Sequence, residues 1–378
     1  MKHLISIVGS QILPIYYPIK EYTPEYIHLI CSKETIFVAE RIRNLCQNIS
    51  QCVIYDPIQP YKIKDIYSIC ETLHNSYPGD EFIYNLTGGT KPMAFAAHTI
   101  AIQKHANIIY TTQENEILDM KTFETHPMQC ILQLDEMIQL AGQKTHSYDL
   151  LEQINPQDIA CAQSIVQFRE TNTNYFTRYS KYVRERYKES NMIPLKDNFP
   201  HNTLFEQYES GGFKLIRNET VILDLPYPDA LMQFFEGRWW ETLVTNAIYE
   251  WNYNSAHSNE IWTSVKFSTQ EASSTKYQDK NEIDILVNLG TSMLFIECKS
   301  GNVIQSDVYK IAQVRKTYGG DISKSVLVSY YPLNPDILEK CRDSNIYVFS
   351  PSRRYNTLSN HLKGLGKFLS QVITKLNV

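Results

Sequence analysis

Residues 281–299 read NEIDILVNLGTSMLFIECK, and their pattern sets the architecture of the C-terminal part of the chain. Two apolar runs, Ile285–Leu289 and Met293–Ile296, flank a tight turn at Gly290-Thr291, as in a β-hairpin. Side chains of a strand alternate with a period of two, so Glu297 and Lys299 share a face. Asp284, entering the neighbouring strand, can reach that face. Charged groups at the rim of a buried sheet are functional candidates. Two carboxylates meeting there suit Mg²⁺ or Mn²⁺, which favour oxygen ligands, acidify bound water and neutralise a phosphate. Lys299 would stabilise charge and orient the attacking water, with no covalent nucleophile required. The competing reading is a surface ion pair between Glu297 and Lys299 on an edge strand.

Around the hairpin, the sequence predicts a helix over Ala230–Trp251, a strand over Ile261–Ser268, a helix over Ser306–Tyr318, a strand over Ser325–Ser329 and a closing α/β segment. The polar loop Ser268–Lys280 carries Lys276 and Lys280, which could touch phosphates beside the metal. Upstream, residues 146–229 read as a connector with helical patterning from Pro156 to Glu189 and a hairpin from Thr203 to Leu225 across Gly211-Gly212. In the first 110 residues, runs such as HLISIVG, YIHLICS, QCVIYD and NIIYTT alternate with amphipathic stretches. That alternation implies a mostly parallel sheet covered on both faces, a doubly wound α/β domain. A short strand over Cys130–Leu134 and a helix would complete it. Domains are expected over 1–145, 146–229 and 230–378.

Ligands of doubly wound folds bind beyond the carboxyl ends of the strands. There the chain places Asn85-Leu86-Thr87-Gly88-Gly89-Thr90-Lys91-Pro92, between a strand and a helix. Glycines admit a ligand close to backbone N–H groups, and the helix start favours an anion. Gly9-Ser10-Gln11 and Ser32-Lys33, after the first two strands, open on the same edge. Neither GxxxxGK[ST] nor GxGxxG is present, and a plain tight turn with a helix cap is the competing reading.

Asp284, Glu297 and Lys299 stand at the signature positions of the PD-(D/E)xK nuclease superfamily, which residues 230–378 resemble; Ile283 replaces the proline of its name. The resemblance implies a restriction-endonuclease-like domain in which Glu241, on the helix opened by Gly237-Arg238-Trp239-Trp240, is a further metal ligand. It also implies that Cys298 contributes its backbone carbonyl and Gln313 a supporting polar group. Residues 1–145, with TGGTK in the strand-to-helix loop, resemble the Rossmann-like CARF domain, the sensor of cyclic oligoadenylates in type III CRISPR defence. This assigns Gly9, Ser10, Gln11, Ser32, Lys33, Thr87, Gly88, Gly89, Thr90 and Lys91 to the ligand. The combination is similar to the CRISPR ancillary nucleases activated by cyclic tetra-adenylate. It implies a homodimer and Mn²⁺- or Mg²⁺-dependent cleavage of single-stranded DNA, RNA or both, with possible nicking of duplex DNA.

The 378 residues exceed what one core of roughly 250–300 residues sustains, which fits two domains. A hydrophobic fraction of 43% and a charged fraction of 20% are those of a globular protein. A net charge of -5 excludes nucleic-acid binding by bulk charge, so contacts must be local. No run approaches the roughly 20 apolar residues of a membrane span, and a cytoplasmic protein is expected. Eight cysteines without CxxC or zinc spacing read as free thiols. Two alternatives stand beside the sensor-nuclease: a ligand-responsive DNA-binding regulator with a relic nuclease fold, and a constitutive restriction or repair nuclease.

Overall fold

A computed structural model describes residues 1–112, 116–187, 193–268, 279–351 and 362–374. Strands and helices alternate from the start: β1 (Lys2–Ile7), α1 (Leu13–Tyr22), β2 (Tyr26–Ile30), α2 (Ile36–Cys46), β3 (Gln51–Ile54), α3 (Ile63–Ser76), β4 (Glu81–Asn85), α4 (Lys91–Gln103) and β5 (Asn107–Thr111). β6 (Glu116–Asp119) and β7 (Thr125–Pro127) then extend the sheet antiparallel, giving the order β3-β2-β1-β4-β5-β6-β7. β1 is buried on both faces from His3 to Ile7 and pairs in parallel with β2 and β4 (Ser6↔Leu29 and Ser6↔Asn85). Strand order reverses between β1 and β4, so their carboxyl ends form the topological switch point.

The expected strand over Cys130–Leu134 does not form. Residues 130–133 run as irregular chain into α5 (Leu134–Leu140), because the Leu132 N–H turns away to bond the Gly290 carbonyl at 3.2 Å. β8 (Lys144–Leu150) follows and pairs with a strand of the C-terminal sheet. The helical stretch beginning at Pro156 is broken at Asn172 into α6 (Pro156–Thr171) and α7 (Thr173–Arg186); its expected end at Glu189 lies outside the described residues. The hairpin over Thr203–Leu225 is part of a larger meander of β9 (Lys196–Phe199), β10 (Thr203–Gln207), β11 (Phe213–Arg217) and β12 (Thr220–Leu225).

The helix read from Ala230 is interrupted. Met232–Glu236 form a π-helical turn, and α8 (Arg238–Ser255) restarts after Gly237 at φ 88°, which an L side chain rarely adopts. Then come β13 (Ile261–Ser268), β14 (Asp279–Asn288), β15 (Met293–Lys299), α9 (Gln305–Gly319), β16 (Lys324–Ser329), α10 (Pro335–Asp343), β17 (Ile346–Phe349) and α11 (Leu365–Thr374). Among the described residues this sheet has the order β17-β16-β15-β14-β13-β8.

The two sheets share a core. Ile15, Tyr17 and Ile42 from α1 and α2 lie in one apolar cluster with Trp262, Leu286, Met293 and Phe295 of the second sheet. The opposite face of the first sheet is covered by α3 and α4 through Ile66, Leu73, Met93, Ala97 and Ile100. All eight cysteines are free, and no described helix is long and apolar enough to cross a membrane.

Candidate active site and ligand edge

The β14–β15 ladder runs from Asn288↔Met293 to Ile285↔Ile296 and stops one pair short of Asp284 and Glu297. There the Cys298 N–H donates to Asp284 Oδ2 at 2.6 Å instead of to the backbone. On the other flank of Asp284, β13 bends at Ser264, whose φ is 51°. Trp262 and Val265 both reach the same apolar cluster, so the alternation of side chains skips a step at Ser264, as at a β-bulge. Asp284 therefore sits where both neighbouring ladders are irregular, and its carboxylate takes the Cys298 N–H.

Glu297 is only 3% exposed, and its Oε1 lies 2.8 Å from Lys299 Nζ. Lys299 also faces Asp307 Oδ1, in the first turn of α9, at 3.7 Å. The expected side-by-side pair thus exists on an interior strand, with Glu297 buried and Lys299 half-buried. Glu241 occupies the first turn of α8. That helix starts against the residue following Lys299, since a Cβ on Gly237 would fall 2.8 Å from Ser300 Oγ. Trp240 fixes it further, donating Nε1–H to the Val328 carbonyl at 3.0 Å.

The electrostatics are unbalanced. Burial, then Glu297 and Glu241, push the Asp284 carboxyl well above its usual range. Burial raises Glu241 as well, with Glu297 adding to it and Arg238 opposing. Burial works against the Lys299 ammonium, yet Glu297, Asp307 and Asp284 lift it above its ordinary value. Four carboxylates, Glu297, Asp284, Glu241 and Asp307, surround one lysine, a set of the hard-oxygen type that suits Mg²⁺ or Mn²⁺. As the side chains stand, no three His, Cys, Asp or Glu groups among the described residues are gathered tightly enough to hold an ion. Glu297 is turned onto Lys299 and Asp284 onto the Cys298 N–H. The Cys298 thiol is buried in the apolar cluster shared with α8 and is pushed up by burial, which leaves only its backbone as a metal contact.

Gln313 is exposed on α9 and donates to Thr317 Oγ1 at 3.0 Å; no described contact joins it to the carboxylates. Lys280 is exposed on β14, whereas Lys276 lies outside the described residues. Sequence reasoning missed Arg169 on α6. This guanidinium is buried within 5.0 Å of the ring centroids of Phe176, Trp239, Tyr330 and Tyr331, and its Nη2 donates to the Ser300 carbonyl at 2.9 Å. It fastens the connector to the turn after Lys299. The available signal was an arginine on the apolar stripe Ile165-Phe168-Arg169.

At the other site, Gly9, Gly88 and Gly89 close the switch point. A Cβ on Gly9 would lie 2.8 Å from the Gly89 nitrogen, one on Gly88 would lie 2.1 Å from the Ile7 oxygen, and Gly89 has φ 74°. The other assigned residues divide into those that hold the loops and those exposed on the rim. Thr87 holds the loop: its hydroxyl donates to Asn85 Oδ1 at 2.6 Å and accepts the Thr111 N–H at 2.7 Å. Ser32 is buried against Thr35, and Thr90, at the N-cap position of α4, donates its hydroxyl to the Pro60 carbonyl at 3.3 Å rather than capping a helix N–H. Ser10, Gln11, Lys33, Gly89 and Lys91 are exposed along the rim, where the N-termini of α1, α2 and α4 open.

Residues 3–137 match the family of the Card1 CARF domain, and residues 229–367 match the Card1-like endonuclease domain. No curated protein sequence matches the chain. Among solved structures, Can2 from Sulfobacillus thermosulfidooxidans in complex with cyclic tetra-adenylate is similar over 99% of both chains, at 19% identity and a TM-score of 0.72. Protein VC1899 from Vibrio cholerae is similar over 99% of this chain and 98% of its own, at 16% identity and a TM-score of 0.71. A type III CRISPR defence DNA nuclease activated by cyclic oligoadenylate is similar over 96% of this chain and 51% of its own, at 13% identity and a TM-score of 0.57. At these identities the structures establish a shared fold. The chain thus carries a CARF domain of the Card1 kind over residues 3–137, joined to a Card1-like endonuclease domain over residues 229–367.

Proposed function

We propose that this chain is a metal-dependent endonuclease of the PD-(D/E)xK type, cutting single-stranded DNA, RNA or both, and switched on by cyclic tetra-adenylate in antiviral defence. The division is sensor 1–145, connector 146–229 and nuclease 230–378. The observation that carries the reading is the buried convergence of Asp284, Glu297 and Glu241 on Lys299 at the splayed end of one hairpin. A second support is the edge at β1 and β4, where exposed Ser10, Gln11, Lys33 and Lys91 surround helix N-termini that favour phosphate.

Mn²⁺ or Mg²⁺ bound there would acidify a water and neutralise charge on the scissile phosphate. Asp284 and Glu297 would hold it, with Glu241 and the Cys298 carbonyl as further ligands. Lys299, kept cationic by its acidic neighbours, orients the attacking water and stabilises charge developing on the phosphate. Asp307 faces the Lys299 ammonium from α9. At the sensor, Lys91 and Lys33 meet phosphates while the glycine-closed backbone shapes the floor. A two-fold symmetric ligand calls for a homodimer with one shared pocket.

The experiment is cleavage of labelled single- and double-stranded DNA and RNA with Mn²⁺, with and without cyclic tetra-adenylate, using Glu297→Gln as control. Cleavage that needs metal and activator together and vanishes in the variant supports the reading. Metal-dependent cleavage indifferent to the activator would make the chain a constitutive nuclease. Activator binding without any cleavage would make it a regulator.

A further inference from the structure

α1 touches both sites. It leaves the Gly9–Gln11 loop at Leu13 and carries Pro14 in its first turn and Pro18 inside it. Pro18 has no N–H, so the Pro14 carbonyl four residues earlier lacks its helical donor. Two buried side chains of the first sheet take it instead, Asn85 Nδ2 at 3.0 Å and Thr111 Oγ1 at 3.0 Å. These are the residues that hold Thr87: Asn85 Oδ1 accepts its hydroxyl and its N–H, and the Thr111 N–H donates to its oxygen. The TGGTK loop and the first turn of α1 are therefore one hydrogen-bonded unit.

Less than one turn along, Tyr17 is fully buried and its hydroxyl donates to the Thr291 carbonyl. Thr291 lies in the turn that closes the β14–β15 hairpin, and Asp284 and Glu297 stand at the open end of that hairpin, beyond the Ile285↔Ile296 pair. The chain grips the same turn a second time, through Leu132 N–H to the Gly290 carbonyl at 3.2 Å and Asn288 Nδ2 to the Leu132 carbonyl at 2.6 Å. Ile15, Tyr16, Tyr17 and Ile19 pack in one cluster with Leu286, Met293 and Phe295, so displacement of α1 cannot leave the hairpin unmoved.

We infer that α1 is the mechanical link between the sensor edge and the catalytic hairpin, with Tyr17 the positioning residue that sets the hairpin. A ligand that shifts the Gly9–Gln11 or Thr87–Lys91 loop moves the Pro14 carbonyl with its two donors, and through Tyr17 it tilts the strands carrying Asp284 and Glu297. The role of the ligand rests on the proposed function, whereas the link itself is a property of the ligand-free chain. The residue-to-residue character of the claim calls for a coupling measurement.

The test is hydrogen exchange of the full chain without any nucleotide, in Thr111→Val, Tyr17→Phe and the double variant. The amides followed are Leu289, bonded to the Ser292 carbonyl, and Met293, bonded to Ser323 Oγ. Thr111→Val, remote from the hairpin, should speed exchange of both by about tenfold, the scale of one lost buried hydrogen bond. In the Tyr17→Phe background the same change should add nothing. Unchanged amides in Thr111→Val, or equal added effects in both backgrounds, would overturn the link. With cyclic tetra-adenylate and Mn²⁺ present, Tyr17→Phe should bind the activator with unchanged Kd but show roughly tenfold less stimulated cleavage. A weakened Kd with full stimulation at saturation would also overturn it. A wild-type chain that ignores the activator would refute the proposed function and leave the exchange cycle to decide the link.

Discussion

At the carboxyl edge of β1 and β4, backbone meets backbone: Gly9 abuts Gly89, and Gly88 lies against the Ile7 carbonyl. At the splayed end of β14 and β15, carboxylate meets carboxylate, and Glu297 is paired with Lys299. The floor of the first edge is sterically full, and its cations, Lys33 and Lys91, stand exposed on the rim above it. The second is electrically incomplete, a site that folds with charges its own residues do not neutralise. The glycine floor of the first edge should therefore fail when volume is added, and the carboxylate cluster of the second when charge is changed.

The largest effect is expected at the charged edge. Glu297→Gln preserves shape and should lower kcat by about a thousandfold or more with Mn²⁺ and activator present, because metal and lysine both lose their partner. Activator affinity should stay unchanged, and a parallel loss of binding would break the separation of the two edges. At the full edge, Gly88→Ala drives a methyl to within 2.1 Å of the Ile7 oxygen. It should cost about 3 kcal/mol in urea unfolding and weaken activator binding. An alanine accepted without loss would mean that the loop is looser than its geometry.

Arg169→Met sharpens the comparison from the connector side. It leaves the Ser300 carbonyl and the Tyr331 hydroxyl without their donor, at about 2 kcal/mol, and should lower kcat more than it changes activator Kd.

Asp284→Asn removes an uncompensated charge, so in metal-free buffer at pH 8 the variant should melt roughly 3 °C above wild type. Asp284 and Glu241 hold protons more tightly folded than unfolded. Their contribution to stability is thus greatest at low pH and is lost as pH rises from the ordinary carboxylate value of 3.8 for Asp284. The advantage of Asp284→Asn should accordingly shrink on acidification.

The smallest effect belongs to the first sheet, where His28 bonds His3 at 2.9 Å and Tyr55 at 2.9 Å. Burial, with His3 beside it, lowers His28 from 6.5 to about 4. A histidine kept neutral by folding contributes stability above pH 6.5 and loses it as pH falls toward 4, by about 1 kcal/mol at pH 5.5. His28→Gln should flatten that part of the melting profile.

The hairpin and the TGGTK loop were legible because each packs its signal into fewer than twenty consecutive residues with a strong period. α1 was not, since Pro14 and Pro18 mask its helical pattern; the carbonyl freed by Pro18 is satisfied by Asn85 and Thr111, more than seventy residues away. The strand expected at Cys130–Leu134 failed for a related reason, because the apolar run there docks on the closed turn of the β14–β15 hairpin rather than on a neighbouring strand. Arg169 was hidden by its spacing, since its four rings come from three separate stretches of chain. Among the assigned ligand residues, sequence could not separate those on the rim from Thr87, Ser32 and Thr90, which hold the loops, because that division depends on hydrogen bonds across strands.

The most direct measurement is an activator titration of Mn²⁺-dependent cleavage in the wild type and in Lys91→Ala. A wild-type rate near zero without cyclic tetra-adenylate, with a midpoint displaced to higher activator concentration in Lys91→Ala but the same plateau and Mn²⁺ dependence, is the predicted result. Full cleavage by both proteins without activator would contradict the account.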